Sequence, residues 1–525
     1  MPKIQILDCT LRDGGYVNDF RFGKYGIQKI INQLTDSGID IVECGFLEDG
    51  DYDPNCTVFQ TAEQIRGMLP SQKKHTLYVA MACYGEYSAD QLSDYDGTSI
   101  DGVRVSFHYN EVESAMEFCR QIKKKGYKIF IQPVGTTSYS QEQLLSLIQQ
   151  VNDLRPYSFY FVDTLGLMHK DDVLNMFNFI DQHLHLDIHI GFHSHNNLQL
   201  SYSNGQALAE LETDRFISLD SSVYGMGRGA GNLNTELIAN HINEQQGRTY
   251  EIEPLLEIVD EFSIPIREEH KWGYSVPYYL AAINGCHPNY ASFLSDKQTL
   301  NVKSISTILR MIEPEQRSLF NKELAEQKYL EFQAREIDDT KTIELLSQKI
   351  QNKDVLLLAP GTSIHSFQKE IEKQSQNCIV FAIAFVPDYI KCDYVFFSNL
   401  KRYHTISKDI LEKVNLIHTS NLQVDEADKL VVNYSSLLNE ADAIMDNAAL
   451  MAFNLLVRIH PHKVFVAGLD GYKYGSANYF QTSLRQEQDE ERFKVLNQEI
   501  SERIRELQTK IDIQFITPSL YIAQK

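Results

Sequence analysis

Positive charge is scarce in this chain. Lys and Arg number 49 against 71 Asp and Glu, a formal net charge of −22 over 525 residues. Nucleic-acid binders and proteins of anionic membrane surfaces need a cationic face, so the balance argues against both. Long apolar runs are missing as well. No stretch approaches the ~20 residues that cross a bilayer. The opening MPKIQILDCTLRDGG has no basic region followed by an apolar one, so no secretory leader is expected and the cytoplasm is the expected compartment. The eight cysteines include no C-x-x-C pair, which makes a zinc ribbon or a dithiol redox site a poor expectation. Core thiols in a reducing cytosol fit better. No repeat or low-complexity tract is visible.

What remains is ordinary for a globular protein: 43% hydrophobic and 23% charged residues. Disorder and fibrous architecture are excluded. A single core rarely grows beyond ~250–300 residues, so two domains are expected. Short apolar segments rich in β-branched and aromatic residues recur at 3–8, 39–46, 76–84, 100–107, 128–134, 158–164, 188–195 and 215–223. They read as strands buried on both faces. Amphipathic helices lie between them. Ile27, Ile30, Ile31 and Leu34 share one face before Gly38, and Ser140 with Gln143 has the spacing of a capping box. The pattern predicts an α/β fold whose N-terminal part is a (β/α)₈ TIM barrel with a helical extension over residues 1–295. An open doubly wound sheet is the alternative. A helical linker is expected over 296–345, and a Rossmann-like α/β domain over 346–525, opening with KDVLLLAPGTSI.

Barrel enzymes keep their chemistry at the C-terminal ends of the strands. Here those ends gather Arg12 and Asp13 after the first strand, Glu43 on the second, Asp163 and Thr164 on the sixth, and His193 and His195 on the seventh. The eighth runs into the glycine-rich YGMGRGAGN. Residues i and i+2 of a strand point the same way, so both histidines can aim at one point that Asp13 can reach. Two imidazoles and a carboxylate suit a catalytic divalent ion. Gly227 and Gly229, with their neighbours Gly225 and Gly231, would let backbone N–H groups approach an anionic substrate. Asn197 could bond metal-bound water or start the next helix, with capping favoured.

The motifs TLRDGG, GFHSHNN and YGMGRGAGN resemble those of the metal-dependent pyruvate aldolases of the 4-hydroxy-2-oxovalerate type. Their superfamily also holds HMG-CoA lyase and isopropylmalate synthase. The resemblance spans about residues 3–295. It implies Mn²⁺ or Mg²⁺ held by Asp13, His193 and His195, with Arg12 stabilising the enolate of a 2-keto acid. Glu43 would then orient Arg12 or a metal-bound water. The implied activity is carbon–carbon bond cleavage or formation between a 2-keto acid and an aldehyde, by a class II aldolase, with a homodimer as the expected assembly. One departure stands out. The oxovalerate aldolases place a histidine, their base for the 4-hydroxyl, three residues after the metal aspartate; this chain has Tyr16 there. A tyrosine is a poor base and a usable acid or donor. His287, in NGCHPNY, is a second candidate if residues 271–293 fold over the barrel mouth. An acyl-CoA-condensing synthase is the alternative, disfavoured because Gly15 and Tyr16 stand where those enzymes carry glutamate and glutamine. The C-terminal region faintly resembles Rossmann-like nucleotide-sugar domains. That implies a nucleotide or nucleotide-sugar near LLLAPGTSI and Asp470, and a place in surface-sugar synthesis or glycosyl transfer.

Overall fold

The computed structural model describes residues 3–407, 410, 412–422, 430–480 and 490–522. They form two compact units, Met1–Ser292 with Glu313–Phe320, and Phe293–Ile312 with Asn321–Lys525.

The first unit is built on nine parallel strands: β1 (Lys3–Asp8), β2 (Ile41–Leu47), β3 (Val58–Phe59), β4 (Leu77–Cys83), β5 (Gly102–Phe107), β6 (Lys128–Pro133), β7 (Ser158–Asp163), β8 (His189–Ser194) and β9 (Phe216–Ser221). Eight of them run in the order β1-β9-β8-β7-β6-β5-β4-β2, and β1 also pairs with β2, which closes the barrel. The ninth, β3, is a two-residue addition beside the end of β2 that hydrophobic period could not reveal. It follows a register shift in β2 between Glu43 and Phe46, at Gly45 with φ +145°. A β-carbon at Gly45 would run into the Thr57 carbonyl, so only glycine lets these backbones approach.

Alternation along the strands decides what the barrel holds. Val42 and Cys44, Val103 and Val105, Ile190 and Phe192, and Ile217 and Leu219 all face the helices and join one large core. The residues between them face inward. An apolar plug of Leu7, Cys9, Ile41, Val79, Phe130, Tyr160 and Val162 forms a separate cluster. Glu43, Arg104, His193 and Asp220 fall on the same inner face, all 3% exposed or less. Gly191 is small because the Tyr160 ring occupies the space of its side chain. Outside the barrel, the helix Gln141–Leu154 starts in the capping box expected at Ser140 and Gln143.

The second unit carries a seven-stranded parallel sheet, β10 (Asp354–Leu358), β11 (Ile379–Ile383), β12 (Tyr394–Phe397), β13 (Asn415–Thr419), β14 (Leu430–Val432), β15 (Lys463–Ala467) and β16 (Ile513–Phe515). The order β14-β13-β12-β11-β10-β15-β16 reverses at β10, as in doubly wound folds. The stretch expected as a linker holds the helices Val302–Arg310 and Lys322–Gln333. Tyr329 of the latter is buried in this unit and donates its hydroxyl to Asp446. Residues 313–320 belong to the first unit, where Tyr290 donates to the carbonyls of Gln316 at 3.0 Å and Leu319 at 2.9 Å.

The turn after β10 differs from the phosphate cradle anticipated there. Asp470 accepts the backbone N–H of Ser363 at 2.8 Å and the Ser363 hydroxyl, and its carboxylate lies against Gly361. The amide that would meet an anion is satisfied from within, by a side chain of the sign a phosphate would have.

Candidate active site

Asp13 follows β1 and is 3% exposed; His193 lies on the inner face of β8 and His195 just beyond it. One ligand atom from each lies within 4.8 Å of the others. His193 Nδ1 stands 2.9 Å from Asp220 Oδ2. The carboxylate can only accept, so Nδ1 donates to it and Nε2 is the nitrogen left for the centre. Burial pushes the His195 imidazole down to about 3, which leaves it neutral at physiological pH. Burial alone would raise the Asp13 carboxyl. Arg12, His195, His193 and the Asn232 amide overcome that and hold it well below the usual carboxylate range. The set thus offers the Asp13 carboxylate, the neutral His195 imidazole and the His193 imidazole held by Asp220.

Arg12 is the hub of a buried ion-pair chain. Its Nη1 donates to Asp13 Oδ1 at 2.7 Å and its Nε to Glu43 Oε2 at 2.8 Å. Glu43 Oε2 lies 2.9 Å from Arg104 Nη1, and Arg104 Nη2 donates to Asp220. Gln132 Oε1 also accepts from Arg104 Nη2, at 2.5 Å. The Asp13 end and the His193 end are therefore joined through two arginines. By accepting from Nε, Glu43 fixes the plane of the Arg12 guanidinium. Arg12 Nη2 is buried and has no hydrogen-bond partner among the described residues. Sequence reasoning missed Arg104 and Asp220, whose signal is a lone charge inside an otherwise apolar strand.

The glycine-rich loop is explained by close packing. A β-carbon at Gly227 would strike the Asn232 side chain and stand 2.9 Å from Asp13 Oδ2. Asn232 Nδ2 donates to that same oxygen at 2.6 Å. Gly229 adopts φ +67° beneath Pro288 and Tyr278. The Gly273 N–H donates to the Gly229 carbonyl at 3.1 Å, and Trp272 Nε1 to the Tyr224 carbonyl at 3.4 Å. The segment 271–293 thus folds onto this loop, with helices Val276–Ile283 and Pro288–Asp296. It brings His287 to the loop, outside the Asp13–His193–His195 group. His287 Nδ1 accepts the Asn289 N–H at 3.2 Å, and burial with the nearby Arg228 charge lowers the imidazole to about 4.

Tyr16 sits on the 3₁₀ turn Gly14–Val17, with ring centroids 5.1 Å from Phe20 and 5.9 Å from Phe46. Partial burial pushes its phenol up to about 12, so it is a donor and not a base. The capping expectation for Asn197 fails. The helix Ser201–Ala209 takes Leu200 as its cap, and Asn196 Oδ1 receives the Ser201 N–H at 3.2 Å. Asn197 is 1% exposed beside the His195 backbone, and its Nδ2 has no partner among the described residues.

Residues 3–260 match the HMGL-like family. The barrel is an HMGL-like domain. A 4-hydroxy-2-oxovalerate aldolase of Geobacillus genomosp. 3 is 26% identical over 243 residues, 45% of this chain and 70% of that protein. An oxaloacetate decarboxylase of Mycobacterium tuberculosis is 26% identical over 238 residues, 44% and 68% of the two chains. The crystal structure of the HMG-CoA lyase from Brucella melitensis is similar at 16% identity and a TM-score of 0.42, covering 51% of this chain and all of that one.

Proposed function

We propose that the HMGL-like domain forms and breaks the C3–C4 bond of a 4-hydroxy-2-keto acid through a pyruvate enolate. The observation that carries the reading is the buried, unpartnered Arg12 Nη2 beside the Asp13–His193–His195 group. A buried donor of this kind needs an acceptor, and an enolate oxygen is a strong one. Asp13, His193 and His195 would hold the Mn²⁺ or Mg²⁺. The mixed O/N donor set fits a divalent ion, and Asp220 presets the His193 tautomer. When bound, such an ion polarises the keto carbonyl.

The chain's own residues do the rest. In cleavage, the 4-hydroxyl gives its proton to water at the site as C4 becomes a carbonyl carbon, the C3–C4 electron pair moves between C2 and C3, and the keto oxygen takes the negative charge until a proton from water reaches C3 and completes pyruvate. Arg12 Nη2 donates to that oxygen. Glu43 holds the guanidinium in place so that no reorganisation is needed when the charge develops. In the direction of bond formation, C3 attacks the aldehyde carbon and the new C4 alkoxide takes the Tyr16 proton. A phenol near 12 is acidic enough for an alkoxide. Tyr16 is 43% exposed and recovers its proton from water. The same phenol favours a second reading, decarboxylation of a 2-keto dicarboxylate, which shares the enolate and has no 4-hydroxyl to deprotonate.

Pyruvate release from 4-hydroxy-2-keto acids is expected from the purified chain. EDTA should abolish it, and added Mn²⁺ or Mg²⁺ should restore it. EDTA-insensitive release would remove the metal from the reading. Tyr16→Phe keeps the ring against Phe20 and Phe46 and removes one neutral donor. A loss of about tenfold in condensation turnover is expected, the worth of one such hydrogen bond. Unchanged metal content in that variant separates the proton donor from a structural effect.

A further inference from the structure

One cation at the site has no use in the chemistry above. Arg228 follows Gly227, whose backbone stands against Asp13. Its guanidinium lies over the Tyr16 ring, 5.1 Å from the centroid. Arg12 and Arg104 are each held by two carboxylates. Arg228 has no ion pair or side-chain hydrogen bond among the described residues. Its charge is felt on His195, on Tyr16 and on His287, three groups from three different segments of the barrel mouth. A guanidinium without an ion pair close to the seat of a divalent cation is repelled by it, and stacking on one phenol offsets little of that. The arrangement is stable in use when an anion comes to Arg228. The keto-acid carboxylate belongs at the Asp13–His193–His195 group, so this anion is a second one.

We propose that Arg228 binds an oxyanion on the aldehyde-derived end of the substrate, beyond C4, and selects acidic aldehydes over neutral ones. This inference rests on the enolate reading. The Tyr16 ring beneath the guanidinium puts the anion on the same side as the proton donor to C4, where the aldehyde oxygen must lie. The planar fork of Arg228 matches a carboxylate or a phosphate in two-point contact. A pocket built this way rejects the analogue lacking the anion, because its own cation is then left unpaired.

The test compares kcat/KM for pyruvate condensing with glyoxylate, with glycolaldehyde phosphate and with acetaldehyde, in the Mn²⁺-loaded full chain. One of the two anionic aldehydes should be preferred over acetaldehyde, and which one decides between carboxylate and phosphate. In Arg228→Met, which still covers the ring, the ratio of anionic to neutral kcat/KM should fall by about 10- to 100-fold, the range for one hydrogen bond to a charged group. Arg228→Lys should restore part of the ratio. A wild-type ratio near one, or a ratio unmoved in Arg228→Met, overturns the assignment. Deuterium exchange into the pyruvate methyl group of the wild type separates the two layers. Exchange without a tail preference rejects Arg228 alone, and no exchange with Mn²⁺ or Mg²⁺ rejects the enolate reading and this inference with it.

Discussion

His193→Ala is expected to strip the barrel of its divalent cation and of its turnover together. The imidazole is one of the three ligands of the proposed site, and its removal leaves Asp13 and His195 as a two-point site. It also leaves Asp220 without the N–H it accepts, a buried carboxylate whose remaining side-chain partner among the described residues is Arg104. Loss of an outer partner to a metal ligand typically costs about 10–100-fold in affinity, and loss of the ligand itself costs more. Asp220→Asn therefore serves as the graded control. It keeps the shape, removes the charge, and should weaken metal binding by about 10–100-fold. Elemental analysis after dialysis reads the first variant, and Mn²⁺ titration reads the second. Full metal content in a folded His193→Ala protein contradicts the ligand assignment.

Arg12→Lys should lose about 10²–10³ in turnover although the charge is kept, the usual cost of one transition-state donor. The guanidinium donates Nε to Glu43 and Nη1 to Asp13, and its Nη2, without a partner among the described residues, is the donor assigned to the enolate in the proposed function. An ammonium on a flexible stem is a point charge, and its two carboxylate neighbours will draw it away from the third acceptor. Metal content should stay normal, since Asp13, His193 and His195 are untouched. Turnover in the lysine variant close to that of the wild type would leave Arg12 as a simple counter-ion.

The barrel is legible in the sequence because a strand covered on both faces must be apolar nearly throughout, and eight such runs occur between residues 3 and 223. Val58–Phe59 is not legible, since two residues carry no period. The site is half legible. Strand ends announce Arg12, Asp13, His193 and His195, and the structure gathers them. Arg104 in VRVSF and Asp220 in FISLDSS carry a signal too, because a charge in the middle of a buried strand needs a partner. Their pairing is hidden: 116 positions separate them, and only barrel closure brings them together. Asn196 and Asn197 are adjacent and chemically identical, so which one serves the following helix is a matter of backbone geometry that composition cannot express. Gly227 reads as an anion cradle in the sequence, whereas in the fold its missing side chain makes room for Asp13.

The buried chain of ion pairs also sets an order of events. Asp13, Glu43 and Asp220 bring three negative charges, and Arg12 and Arg104 bring two positive ones, all at 5% exposure or less. This chain of ion pairs therefore carries one uncompensated negative charge where water screens it poorly. A keto acid arriving first would bring a second. A divalent cation reverses the sign to one positive charge, and a monoanionic keto acid then makes the assembly neutral. On the proposed function, filling is accordingly sequential, cation before keto acid. Neutrality is reached only when both are aboard, so the cation's grip tightens as the keto acid arrives.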